Sequence, residues 1–444
     1  MIKYTKLFIT FLFAVIAFSA VAQTTANTSS PYSQYGLGNL TPMILPQNMA
    51  MGGISTATNS INRYMSINPQ NPASYGAIGF TTIDVGFLDN SNSLSQAGQS
   101  SQKNTNFSIS HITFAIPVTT TSALSFGLLP YSQVGYNYTK KQTGYGTGSP
   151  IDTNAVNYVY NGEGGLSKAY IGYGFTIARN LLLGFNVSYI FGNIKHTQDV
   201  EMPSYFGTLN TNVERSNAVG GLSYDFGAQY IIDLSATRHI VFGYSGSASS
   251  QINSKSSYII SQYTYDGNGA RNVDLDSVIN QQNTSGKIRL PSINHFGISY
   301  QRDLKFLIGA DYSMGNWSNL TIDGVNQGMA NSKTFNIGGQ YTPNINALHN
   351  YLATLDYRLG FIADQTYYNV PNANGGITNI KSKSVTLGLG LPLRGGQTSF
   401  YKVNFAAEIG QRGTLANGLV KENFVNFRLG FTLNDRWFQR YKFD

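Results

Sequence analysis

A two-residue alternation recurs from about residue 79 to the end of this chain and restricts what it can fold into. The last run reads FVNFRLGFTL, residues 424–433. Val425, Phe427, Leu429, Phe431 and Leu433 fall on one face, and Asn426, Arg428, Gly430 and Thr432 on the other. Successive side chains of a strand point to opposite faces, so each such run has one apolar and one polar surface. Ile171, Tyr173, Phe175 and Ile177 repeat the pattern, as do Leu183, Phe185, Val187, Tyr189 and Phe191. The polar faces carry Asp84, Asp225, Asp311, Asp356, Arg358, Glu408, Arg412 and Arg428. Buried in a sandwich core, each unpaired charge would cost several kcal/mol. A hydrated or plugged lumen tolerates them, which points the apolar face at lipid. A soluble β-sandwich shares the alternation. Runs of ten or more residues favour a tilted bilayer crossing instead. So do aromatics near strand ends (Tyr136, Tyr138, Trp317, Trp437, Phe438), which read as an interfacial girdle.

Only 11% of the residues are charged, against about 25% in soluble domains. Residues 1–22 read as a secretory signal: Lys3 and Lys6, an apolar run over 7–18, then Ala20-Val21-Ala22. Its removal takes the net charge from +8 to +6. No later stretch is apolar for long enough to form a membrane helix. An exported chain of this composition has one spanning option, a closed β-barrel, here in a Gram-negative outer membrane. Blocks of like charge are missing, so no nucleic-acid partner is expected. With no cysteine and five scattered histidines, no metal site is expected. Asp274 and Asp276 lack the ligand set of a calcium loop. No nucleophile elbow or phosphate loop occurs, and no Ser–His pair can be placed facing lipid. The sequence therefore predicts neither an enzyme nor a cofactor.

The gaps between runs alternate. Short ones fall at 117–121, 178–180, 233–238, 301–303, 343–349 and 395–399. Long polar ones fall at 89–104, 141–164, 197–216, 257–285, 318–331, 363–381 and 414–422. Thirteen connections predict an all-β, antiparallel, up-and-down barrel of fourteen strands with short periplasmic turns and long outer loops. The domain plan is signal 1–22, N-terminal segment 23–78, barrel 79–433 and periplasmic tail 434–444. Prolines exclude a central strand in 23–78, and the glycines mark tight turns. That segment reads as a tail or as a plug in the lumen, and the cluster Met43, Ile44, Leu45, Met49, Met51 and Ile54 favours the plug.

AMGGIS (50–55) and NPQNPAS (68–74), followed by GEGGLSKAYIGYG (162–174), GADYSMGNW (309–317), GLGLPL (388–393) and EIGQRGT (408–414), together resemble the FadL family of outer-membrane channels for long-chain fatty acids. The resemblance implies a hatch-plugged barrel that admits hydrophobic molecules. Its Asn-Pro-Ala element falls on Asn71, Pro72 and Ala73, and these with Gly52 and Gly53 form the expected hatch or gate. In the third strand, Pro130 donates no ladder bond and marks a break in the wall. The resemblance makes that break a lateral opening, with Asn71–Ala73 expected to line it. Arg63 and the lumen charges are expected to form one network that holds the hatch. The expected associates are outer-membrane lipid and a hydrophobic ligand. A second reading is a structural or docking barrel within a larger secretion or assembly machine. The basic, aromatic end NDRWFQRYKFD (434–444) would then bind other outer-membrane or periplasmic proteins.

Overall fold

A computed structural model describes residues 30–59, 65–144, 155–203, 207–266, 269–272, 274, 276–393 and 399–436. The signal, Arg63 and the tail from Trp437 onward lie outside the described residues. Fourteen antiparallel wall strands follow one another around the ring. The first five are β1 (Thr81–Gln96), β2 (Gln102–Thr119), β3 (Ser122–Thr143), β4 (Ala155–Ile177) and β5 (Leu181–Glu201). Next come β6 (Asn210–Ser235), β7 (Arg238–Ser247 continuing as Ser250–Tyr263) and β8 (Asp276–Leu290 continuing as Ile293–Arg302). The remainder are β9 (Phe306–Gly315), β10 (Ser332–Tyr341), β11 (Asp356–Pro371), β12 (Ile377–Leu393), β13 (Phe400–Gly413) and β14 (Val420–Asp435). The last strand pairs with the first from Val420↔Gln96 to Asp435↔Thr81 and closes the barrel. Closure leaves no sheet edge at that join, as a bilayer requires.

Exposure settles which face meets what. In β14, Phe427 and Leu433 are about 40% exposed while Arg428 and Thr432 are buried. Ile308 of β9 and Leu359 of β11 also stand outward, and the lumen charges are covered. The protein is a transmembrane barrel with an apolar outer belt. Its strands outrun the expected ones: 89–96, 210–216 and 276–285 are strand rather than loop. Those outer reaches alternate among Asn, Ser and Thr, so no apolar period reveals them.

The girdle expectation fails at Tyr136 and Trp317. Both face inward, and Trp317 is 2% exposed. The connection between β9 and β10 folds over the barrel mouth, so its indole packs against Tyr367, with ring centres 4.8 Å apart. Tyr32 and Leu37 of the N-terminal segment join the same apolar cluster with Leu320, Tyr367 and Tyr368. The segment makes short helices at Pro31–Gln34, Pro46–Met49 and Pro72–Ala77. A second cluster sets Leu45, Ile67, Tyr75 and Ile78 against Ala115, Ala123 and Leu129.

Candidate functional site

The wall parts between β2 and β3. Their ladder runs from Thr119↔Ser122 only to Ile112↔Leu128. Farther out, β2 stays paired with β1, and β3 with β4. Both strands carry a bulge where they separate. Gly86 pairs with His111 and Phe87 with Ile109, so Ser110 is the extra residue of β2. Pro130 pairs with Ser167 and Ser132 with Leu166, so Tyr131 is the extra residue of β3. A bulge bends its strand and increases its twist. Two bulges at one height peel the strands apart, and Pro130 brings no N–H to hold them. Beyond it, Ser132 through Tyr136 are all buried, without alternation. Here β3 has turned into the barrel and is covered on both faces.

The N-terminal arm, residues 30–41, covers the freed edge. Asn39 and Leu40 pair with Gln133 and Ser132 as a two-residue strand. Thr41 N donates to Tyr131 O at 3.0 Å, Ser30 N to Gly135 O at 3.0 Å, and Gly135 N to Ser33 Oγ at 3.1 Å. Lipid offers no such partners, so without the arm these groups would be unsatisfied. Side chains hold the arm at its ends. Ser30 Oγ donates to Glu422 Oε1 (2.5 Å), and Arg412 bonds both Asn39 Oδ1 (2.8 Å) and Glu422 Oε2 (2.7 Å).

Pro130 stands at this seam, whereas Asn71–Ala73 do not line it. Asn71 caps the Pro72–Ala77 helix: its Oδ1 accepts from Ala73 N at 3.1 Å, and Pro72 takes the first helical position. The Asn71 Nδ2 donates to Thr56 O at 2.6 Å, tying two turns of the N-terminal segment together against β6 and β7. Gly52 and Gly53 both have positive φ, +71° and +76°, where the chain turns after Pro46–Met49. The seam is lined instead by Asn39–Thr41. They carry no motif, and only the missing ladder partner of β3 reveals them.

Among the described residues, the hydrogen bonds and ion pairs of the lumen charges fall into separate groups. Lys168 Nζ bonds Asp225 at 2.7 Å, with Ser188 and Ser247 completing the carboxylate's shell. Asp356 accepts from Arg358 (2.8 Å) and Lys402 (2.5 Å), and Arg358 also bonds Gln340 and Asn404. Glu408 bonds Ser384 and Asn426 of the wall and approaches Arg428 only to 3.9 Å, leaving Arg428 Nε without a hydrogen-bond partner. Among the predicted charges, Asp311 and Arg412 grip the N-terminal segment directly. One oxygen of Asp311 takes the backbone N–H of both Ser55 (2.7 Å) and Thr56 (2.8 Å). Lys168, Lys402 and Glu422 were missed, although each shares strand parity with an inward neighbour (Gly172, Asn404, Asn426).

A cavity of about 370 Å³ lies behind the seam. Leu40, Thr41 and Tyr131 wall it on the seam side, and Lys168, Asp225, His295, Glu408 and Arg428 on the others. The Ser110 bulge also places two consecutive side chains on the inner face. Ser110 Oγ meets His111 Nδ1 at 3.0 Å, and His111 Nε2 meets Asp84 Oδ1 at 2.8 Å. The residue types are those of a hydrolase relay. His111 and Asp84 are fully covered, however, and none of the three lines the cavity. The Thr432 hydroxyl donates to the other Asp84 oxygen at 2.7 Å, which makes the group a brace between β1, β2 and β14.

The fold is similar to that of the toluene transporter TodX of P. putida (14% identity, 90% of this chain and 100% of that one, TM-score 0.56). It is also similar to the toluene transporter TbuX of Ralstonia pickettii (14%, 89% and 99%, 0.54). A third likeness is to a Pseudomonas aeruginosa FadL homologue (12%, 91% and 100%, 0.55). At such identities the likeness is one of fold. No curated protein matches the chain. One family model, described as BamG, matches residues 1–444, the whole sequence. The chain belongs to the BamG family.

Proposed function

We propose that this protein is an outer-membrane channel that passes small hydrophobic molecules between its lumen cavity and the bilayer through the seam between β2 and β3. The observation that carries this reading is the end of the β2–β3 ladder at Ile112↔Leu128, with the cavity directly behind. Asn39–Thr41 act as the gate, since lifting them uncovers the edge of β3 and joins cavity to lipid. TodX and TbuX are toluene transporters, which supports a hydrophobic cargo. The polar lining, with Arg428 Nε unpartnered, suits a cargo with one polar end. The test uses the absence of native cysteine. Leu40→Cys with Ser132→Cys, oxidised to a disulfide, should stop uptake of a hydrophobic probe by cells, and reduction should restore it. Uptake that is equal in both states counts against the gate.

A second reading, a docking or structural barrel in a larger outer-membrane machine, is favoured by one observation. Above the cavity the lumen is filled by the apolar cluster around Trp317, Tyr367 and Tyr368, as a static scaffold would be. Purification from native membranes separates the two. A stoichiometric protein partner supports the scaffold, and bound lipid or small molecule supports the channel.

A further inference from the structure

The inner wall is shaped to receive the backbone of the hatch. Nine wall strands turn a glycine inward at the height of residues 45–58 and 67–77, and at each a side-chain carbon would run into the hatch. On Gly184 it would overlap the Pro72 carbonyl, and on Gly227 the Asn71 carboxamide. On Gly174 it would stand 2.5 Å from Pro72 O, and on Gly430 3.0 Å from Pro46 Cγ. Farther round, Thr56 O closes over Gly243, Met51 O over Gly338 and Ala50 Cβ over Gly388. Gly297 and Gly360 complete the ring against Thr56 and Gly52. None of the nine has positive φ, so conformational freedom is not the reason for glycine there. Contact distance is.

Polar side chains between the glycines bond the same stretch of backbone. Gly52 N donates to Thr386 Oγ1 at 2.7 Å, Ser299 Oγ donates to Ala57 O at 2.7 Å, and Gln229 Nε2 reaches Thr56 O at 3.0 Å. Asp311 takes two further N–H groups. The ring spans β4 to β14 with gaps at β9 and β13, and it is missing from the three consecutive strands β1, β2 and β3 at the seam.

We propose that this glycine ring is a backbone-reading seat that holds hatch residues 45–58 and 67–77 permanently against the wall. Of the described N-terminal residues, the arm, 30–41, is then the part left to change position, and it does so by drawing Tyr32 and Leu37 out of the apolar cluster. The inference does not depend on what the cavity carries. Its test is hydrogen exchange on the purified full chain. Gly184→Ala, Gly227→Ala and Gly388→Ala should each raise exchange of residues 50–58 and 70–77 about tenfold or more, with the barrel still heat-modifiable on gels. Gly79→Ala, whose nearest neighbour is Met65 Cε at 3.9 Å, should change nothing. Folded ring variants that exchange as slowly as the parent overturn the proposal. Where the ring variants do not fold, single cysteines in the otherwise native chain decide. Ala57→Cys should resist a maleimide throughout the time in which Leu40→Cys reacts fully, and equal reaction of the two overturns the seat.

Discussion

Two parts of the N-terminal segment are held by different physics. Its floor, residues 45–58 and 67–77, lies flush on a wall made thin by glycine, and the wall's polar side chains bond its peptide groups. Its arm, residues 30–41, meets β3 through a two-residue ladder and bonds to Tyr131 and Gly135, and is tied to β13 and β14 by Arg412 and Glu422. The floor is fixed by shape all round the ring. The arm is fixed by hydrogen bonds, each worth about 1 kcal/mol net, and by the burial of Tyr32 and Leu37 in the apolar cluster at Tyr367. The arm can leave by giving up bonds and apolar contacts, whereas the floor can leave only if the wall changes shape.

Replacing a seat glycine by a branched residue should break the contrast most severely. Gly227→Val puts three carbons where Asn71 lies, and overpacking of this kind costs about 1–3 kcal/mol or more. The expected result is loss of the heat-modifiable form, measured by gel shift after refolding. Next in size is a paired test on lipid-facing positions of equal exposure, Leu359 and Ile109, both 57%. Leu359→Arg in the seated sector should cost about 2–4 kcal/mol by urea titration. Ile109→Arg should cost less, because β2 is unpaired on its seam side and can shift to let the guanidinium reach water. Equal costs would remove the distinction between the sectors. Asp311→Ala orphans two buried N–H groups and should loosen residues 50–58 at a cost of about 1–3 kcal/mol, visible as faster exchange there while exchange of the arm is unchanged. Asn39→Ala removes the Arg412 anchor and should cost about 1 kcal/mol, with faster exchange confined to the arm. Pro130→Val should have the smallest effect. It restores one donor, but both bulges remain, so uptake should fall only slightly.

Strand number and wall orientation were legible because the inner and outer surfaces of a barrel demand opposite chemistry at alternate residues. Arg428 and Phe427 declare their sides without help. Alternation puts Asp311 on the polar face of its strand, but it could not show that this carboxylate bonds Ser55 and Thr56. The outer strand reaches were hidden, since Asn, Ser and Thr suit water on either face. Trp317 misled because the residue types of an interfacial girdle also suit an inner cluster, and loop direction decides between them. The Asn-Pro-Ala element was visible as a motif, but its placement on the floor depends on close approaches to Gly184 and Gly227 that are remote in sequence. Pro130 marked the break. Asn39–Thr41, which cover it, are known only by the bonds they make.

The paired bulges at Ser110 and Tyr131 bear on how such a wall can change over generations. Each is one surplus residue, and each lies on the far side of its strand from the seam, in register with β1 or β4. Deleting Tyr131 would let Ser132↔Leu166 follow Pro130↔Ser167 directly, a regular ladder in which every side chain of β3 keeps its face. Deleting Ser110 would do the same for β2. No point substitution removes either residue, and either deletion alone straightens one strand while the other stays bent away. The seam is thus protected against drift by substitution: a lineage could close it only by losing both surplus residues.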